Sequence, residues 1–180
     1  VSRLGVVGLV SLDRVDGGLP RLGGAPTYAA RALRLLGHPA ALATKLASED
    51  RPRLAALGLP VAWRPAARTI AFSIENLRAE RAMTLEEAGG SWTPKDARTW
   101  LGRELAGVTW VHAGALTRAD FPAETLAALR RGRRLSLDAQ GLVRPAEPGP
   151  VVGDRGYDPE VLRHVDLLKL SREEADVLEI

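Results

Sequence analysis

Short, continuously apolar segments alternate along this chain with helix-length amphipathic ones, and that alternation narrows the available folds more than any other feature. Val6 to Val10 is apolar and mostly β-branched, the pattern of a strand covered on both faces. A helix is expected from about Pro26 to Leu36, with Ala29, Leu33 and Leu36 on one stripe, Arg31 and Arg34 off it, and Gly37 as its stop. Further strands are expected over 39–46, 108–114, 134–141 and 166–171, and further helices over 49–59, 122–131 and 159–165. Thr93, Pro94 and Asp96 mark another helix start, as N-cap, first helical residue and capping-box acid. Buried strands joined by helices build right-handed βαβ units. The expected class is therefore α/β, three layers around a parallel central sheet.

One region breaks the pattern. Residues 68–76 and 80–85 alternate polar and apolar with period two, and only Leu77 to Ala79 separates them. That is a hairpin with one wet face, inserted into the α/β frame. The segment 141–156 is the only long stretch dense in Gly and Pro. The chain opens on Val1 and stops at Ile180 inside a capped helix start. It is expected to be the N-terminal part of a longer protein, with 1–180 forming one incomplete domain.

Composition excludes some classes. No cysteine is present, so disulfides and thiolate metal sites are ruled out; this fits a cytoplasmic protein. No apolar run reaches transmembrane length, and neither a membrane nor a nucleic-acid partner is expected. The isoelectric point of about 9.8 suggests a polyanion binder, but the net charge is only +3. The one basic cluster, "RRGRR" at 130–134, follows a helical segment, where cations suit the C-terminus; a polyanion patch is the competing reading. There is no Walker loop, no complete dinucleotide fingerprint and no nucleophile elbow. The three histidines lack ligand spacing, so no direct metal site is expected, and His112, inside a strand, reads as a satisfied buried residue.

In open α/β sheets ligands bind beyond the carboxyl ends of the strands. Asp13, "HAGAL" (112–116), "DAQGLVR" (138–144) and "KLSREE" (169–174) all fall there. Any one could be a turn or cap residue, but their recurrence favours a ligand cleft. Arg144 is placed to meet an anion, or to tie down the long loop by a salt bridge. Gly23 and Gly24 precede a helix N-terminus. They make either a tight turn or a place where a ligand approaches bare backbone.

The ordered set "VVGLVSLD", "GGAPTYAARALRLLG", "ATKLASED", the hairpin 68–85, "SLDAQGLVR" and "LLKLSREEA" resembles the phosphofructokinase-B, or ribokinase-like, family of small-molecule kinases. Several segments are nearest its myo-inositol kinase-like branch. The resemblance implies a ribokinase-like fold whose hairpin, about 61–88, is a lid that can also pair two subunits into a homodimer. It implies phosphorylation of a sugar, cyclitol or nucleoside hydroxyl with ATP and Mg2+. Asp13, Gly23, Gly24 and Tyr28 would meet the substrate; Arg144, Lys169 and Glu174 would lie on the phosphate and magnesium side. Tyr28 stands where many sugar kinases of the family have Asn, and Ser171 where the family's "N-x-x-E" has Asn. The catalytic aspartate belongs to a Gly-Ala-Gly-Asp segment that these 180 residues do not contain. The chain alone is thus expected to be inactive, the substrate half of a kinase; a non-catalytic sugar-binding module is the alternative.

Overall fold

The computed structural model describes residues 4–77 and 80–180. Strands β1 (Leu4–Gly8), β4 (Ala40–Leu46), β5 (Val61–Pro65), β8 (Trp110–Gly114), β9 (Arg134–Asp138) and β11 (Leu167–Lys169) form a sheet in the order β11-β9-β8-β1-β4-β5. Every neighbouring pair in it is parallel. Successive side chains of a strand point to opposite faces, and β1 shows what each face meets. Val6 packs with Ala30 and Leu33 of α1 (Ala25–Leu36) and with Leu57. Val7 belongs to the larger core, with Leu101 of α3 (Trp100–Glu104) and Leu126 and Leu129 of α4 (Ala123–Arg130). The expected three-layer α/β arrangement is therefore the observed one.

A second sheet of five strands, β2 (Ser11–Val15), β3 (Arg21–Gly23), β6 (Ala71–Leu77), β7 (Glu80–Glu87) and β10 (Gly149–Pro150), runs in the order β10-β7-β6-β2-β3. The hairpin is β6 and β7, but it is not a free-standing insertion. β2 joins β6 in parallel register, Leu12 opposite Ala71, and β10 covers β7 at Thr84 and Leu85. Asp16 pins the end of β2 to β6 by accepting from the backbone N–H and the side-chain amide of Asn76, at 2.8 and 3.0 Å. The 61–88 boundary for a lid is thus too wide. Val61–Pro65 is the edge strand of the central sheet, held by parallel pairing to β4. Of the hairpin connection 77–79, residues 78 and 79 lie outside the described residues.

Other local expectations shift for identifiable reasons. The segment 48–57 is a 3-10 helix with Pro52 inside, which withholds the N–H an α-helical turn would use, and Gly58 ends it in the left-handed conformation. Pro159–His164 is also 3-10. The helix starting at Thr93 has its full capping box, yet it breaks at Thr99 (φ −103°, ψ −97°) into α2 (Pro94–Arg98) and α3. That break lets Trp100 stack on buried Trp92, with centroids 5.8 Å apart. β9 stops at Asp138, and the supposed loop after it carries α5 (Gln140–Val143) and β10.

Candidate functional site

A cleft of about 450 Å³ lies between the carboxyl ends of the central strands and the second sheet, and its walls include Asp13, Tyr28, Arg81, His112, Arg144 and Lys169. Asp13 enters differently from expectation. It lies past β1, but inside a second strand, β2, paired opposite Arg21 of β3. Its carboxylate is buried, and Oδ1 has no hydrogen-bond partner among the described residues. Burial raises its pKa above the ordinary carboxylate value, outweighing the Ser11 hydroxyl and the charges of Arg21, Arg81 and Arg144.

The two glycines open space for that carboxylate. A Cβ on Gly23 would sit 2.0 Å from Asp13 Oδ2, so only glycine leaves the carboxylate where it is. Gly24 caps α1 at φ 82°, ψ 161°, and a Cβ there would meet Leu9 O at 2.2 Å. Thr27 holds the turn by donating its hydroxyl to Gly23 O at 2.6 Å. One turn into α1, Tyr28 is 59% exposed and stands at the cleft mouth.

At the ends of β8, β9 and β11 a row of polar groups faces the same cleft. His112 lies beside Ser136 in register, and Asp138 beside Lys169. His112 Nδ1 is 3.0 Å from Ser136 Oγ, and its Nε2 is 3.9 Å from Asp138 Oδ2. Lys169 Nζ donates to Asp138 Oδ1 at 3.1 Å. Burial lowers the His112 pKa, with Asp138 opposing and Lys169 reinforcing the shift. The imidazole is therefore neutral at physiological pH.

Arg144 lines both this cleft and a neighbouring cavity of about 290 Å³ that also contains Ser171 and Glu174. Its side chain makes no ion pair or hydrogen bond among the described residues, which sets aside the salt-bridge reading. Burial pulls its pKa down, while Glu174 and Asp138 hold it up. Glu174 does not reach the cleft. It closes the capping box of α6 (Arg172–Leu178), accepting from Ser171 N–H at 2.8 Å, while Ser171 Oγ accepts from Glu174 N–H at 3.2 Å.

The structure thus gathers Asp13, Gly24, Tyr28, Arg144 and Lys169 around one cleft, sets Gly23 against Asp13, and places Glu174 next door. His112 and Asp138 open the segments 112–116 and 138–144 expected at the cleft but were not named as individual site residues, and Arg81 was missed. A histidine in an otherwise apolar strand and an arginine on the period-two face of a hairpin were the available signals. The basic cluster has mostly structural partners. Arg130 pairs with Asp166 at 2.8 Å, Arg133 donates to Leu105 O, and Arg134 covers the Trp110 ring.

This arrangement, a parallel sheet whose carboxyl ends face a second sheet bearing a hairpin, is the ribokinase-like fold. The chain's fold is that of the phosphofructokinase-B, ribokinase-like kinases. It matches a pyrophosphate-dependent kinase of the ribokinase family complexed with a pyrophosphate analogue and myo-inositol at a TM-score of 0.77 and 30% identity, over 97% of this chain and 63% of that one. A pyrophosphate-dependent myo-inositol-1 kinase converted by substitution into a myo-inositol-3 kinase matches at 0.76 and 30%, over 97% and 61%. A Burkholderia thailandensis nucleoside kinase in complex with inosine shares the fold at 0.67 and 17%, over 97% and 62%. The chain therefore spans less than two thirds of the length of these kinases. No family sequence model and no curated protein matches it. No helix among the described residues is long and apolar enough to cross a membrane.

Proposed function

We propose that the protein holds a polyhydroxylated small molecule, a cyclitol, sugar or nucleoside, and presents one of its hydroxyls for phosphoryl transfer. The observation that carries this reading is the Asp13 carboxylate, buried in a cleft of small-molecule size with Oδ1 unpartnered among the described residues. A buried acceptor without a donor is costly, and a substrate hydroxyl is a donor. Myo-inositol and inosine, the compounds named with two similar kinases, fit the same class. Gly23 and Gly24 keep the backbone bare beside the carboxylate, and Tyr28 gives the mouth a phenol.

The phosphate donor would lie on the Arg144 and Lys169 side. A guanidinium without a side-chain partner among the described residues suits phosphate oxygens, and Lys169 adds a second cation. ATP with Mg2+ is the expected donor, and pyrophosphate is the alternative that the similar kinase suggests. No three His, Asp or Glu side chains converge among the described residues. Mg2+ would accordingly take most of its ligands from donor phosphates and water, with Glu174 nearby, as this ion commonly does. Its contribution when bound is to neutralise charge on those phosphates.

Removal of the acceptor proton is assigned to none of these residues. The second reading is a non-catalytic sugar-binding module, which would bind a polyol without any dependence on ATP. A homodimer through the hairpin would use the part of β7 that β10 leaves uncovered, and a cytoplasmic location fits the chemistry. Calorimetric titration with myo-inositol, ribose, fructose and inosine, followed by phosphorus NMR with ATP·Mg2+ or pyrophosphate, tests the proposal. Binding of at least one polyol is expected, with transfer at background from this chain alone. Binding of none overturns the reading, and clear transfer overturns the inactive-half assignment.

A further inference from the structure

His112 has two ring nitrogens in two different settings, and together they define its tautomer. Trp110 Nε1–H donates to Ser136 Oγ at 3.3 Å, which uses one acceptor position of that hydroxyl. The hydroxyl has a single proton of its own. Its two candidate acceptors are Val111 O at 3.5 Å, at the limit of a hydrogen bond, and His112 Nδ1 at 3.0 Å. The favoured network runs one way, Trp110 N–H to Ser136 Oγ, then Ser136 O–H to His112 Nδ1. The imidazole proton is then on Nε2, the nitrogen nearest Asp138.

Nε2 lies 3.9 Å from Asp138 Oδ2, too far for a direct hydrogen bond. The other carboxylate oxygen, Oδ1, is held by Lys169. A polar pair this far apart can be joined by one oxygen once the ring and the carboxylate part slightly to admit it. Such an oxygen must accept from Nε2–H and donate to Oδ2. A hydroxyl does both, whereas a phosphate oxygen can only accept and would face the Asp138 charge.

We propose that His112 and Asp138 form a hydroxyl-recognition pair in the cleft, with the neutral Nε2–H tautomer donating and Asp138 Oδ2 accepting. The pair selects an alcohol at this point over a phosphate, ether or carbonyl oxygen. It rests on the reading of the cleft as a polyol site. It also gives His112 a substrate-contact role in place of the purely structural one. The charged groups facing the ring are Asp138 and Lys169, and burial keeps the ring neutral near pH 7.

Two measurements test it. Nitrogen-15 long-range correlation spectra of the 180-residue chain at pH 7 should report His112 as the Nε2–H tautomer, shifting toward a mixture in S136A. A neutral Nδ1–H ring in the unsubstituted chain overturns the proposal. In calorimetry with myo-inositol as the probe, H112A should weaken binding about tenfold, the worth of one hydrogen bond of this kind. H112Q, whose amide N–H can reach the same place, should recover most of the loss. Equal affinity in H112A and the unsubstituted chain overturns the pair but leaves the polyol site standing. If the unsubstituted chain binds neither myo-inositol nor any other polyol tried, both fall. Circular dichroism of the variants identifies loss through misfolding, and in that event the H112Q affinity alone decides, with a tenfold loss there counting against the pair.

Discussion

Asp13→Asn separates a carboxylate kept for binding from one kept for structure, because the two roles predict opposite signs. Asp13 Oδ1 is buried with no donor among the described residues, and burial dominates the several influences on its pKa. A buried polar group left in that state costs about 1–3 kcal/mol. Asn keeps the shape and removes the charge, so D13N should be more stable by about 1 kcal/mol, which raises the melting temperature by about 2–4 °C for a chain of this length. Affinity should move the other way. A hydrogen bond to a charged acceptor is worth about 1.5–3 kcal/mol, so polyol binding should fall by about 10- to 150-fold.

The pH dependence sharpens the test. The folded-state pKa of Asp13 is raised, so the protonated form stabilises the fold fully below the ordinary carboxylate value, and that stability is lost as pH rises through the folded value. The difference between D13N and the unsubstituted protein should therefore be small near pH 3 and open toward neutrality. Urea denaturation from pH 3 to 7, with calorimetric titration of myo-inositol at pH 7, measures both quantities. A variant less stable at neutral pH, with affinity unchanged, would refute the reasoning and make Asp13 a structural residue of β2.

Three further expectations follow from separate contacts. In G23A the new Cβ would lie 2.0 Å from Asp13 Oδ2 and 2.6 Å from its Cγ, so the carboxylate must turn away. Polyol affinity should fall about as far as in D13N while the circular dichroism spectrum is kept. Asp120 is fully buried, accepting from Leu116 N–H at 2.8 Å and from the Thr117 hydroxyl at 2.7 Å, and burial pushes its pKa up to about 6. Its protonated form favours folding, so about 3 kcal/mol of stability should be lost as pH rises from about 4 to beyond 6. D120N should flatten that part of the urea-denaturation profile. S171A removes the side-chain half of the α6 capping box and should cost about 1 kcal/mol, read as a fall of about 2–4 °C in melting temperature.

How much of this was legible in the sequence depends on where each residue's burial comes from. The central sheet was readable because its strands are covered on both faces by helices close in sequence, so apolar runs such as 6–10 announce themselves. The second sheet was only half readable. Its hairpin shows period two, but "SLDRV" does not resemble a strand, since its buried positions are Ser11 and Asp13. Those residues are covered only because β2 pairs with β6, about 60 residues away, and with β3. Asp13 is expected just past the first strand, yet its unusual carboxylate arises because it lies inside the next one.

The same logic applies to His112. Reading it as a satisfied buried histidine fits Nδ1, 3.0 Å from Ser136 Oγ, while Nε2 has Asp138 Oδ2 at 3.9 Å and the residue lines the cleft. A pattern that assigns one environment per residue cannot divide a ring between two. Arg81 and Arg144 line both cavities although 63 positions separate them in the chain, and only closure of the second sheet over the first brings them there. Local spacing identified groups at the ends of parallel strands, because the topology sends those ends to one side. The opposing wall of the cleft belongs to long-range strand pairing, which no short motif encodes.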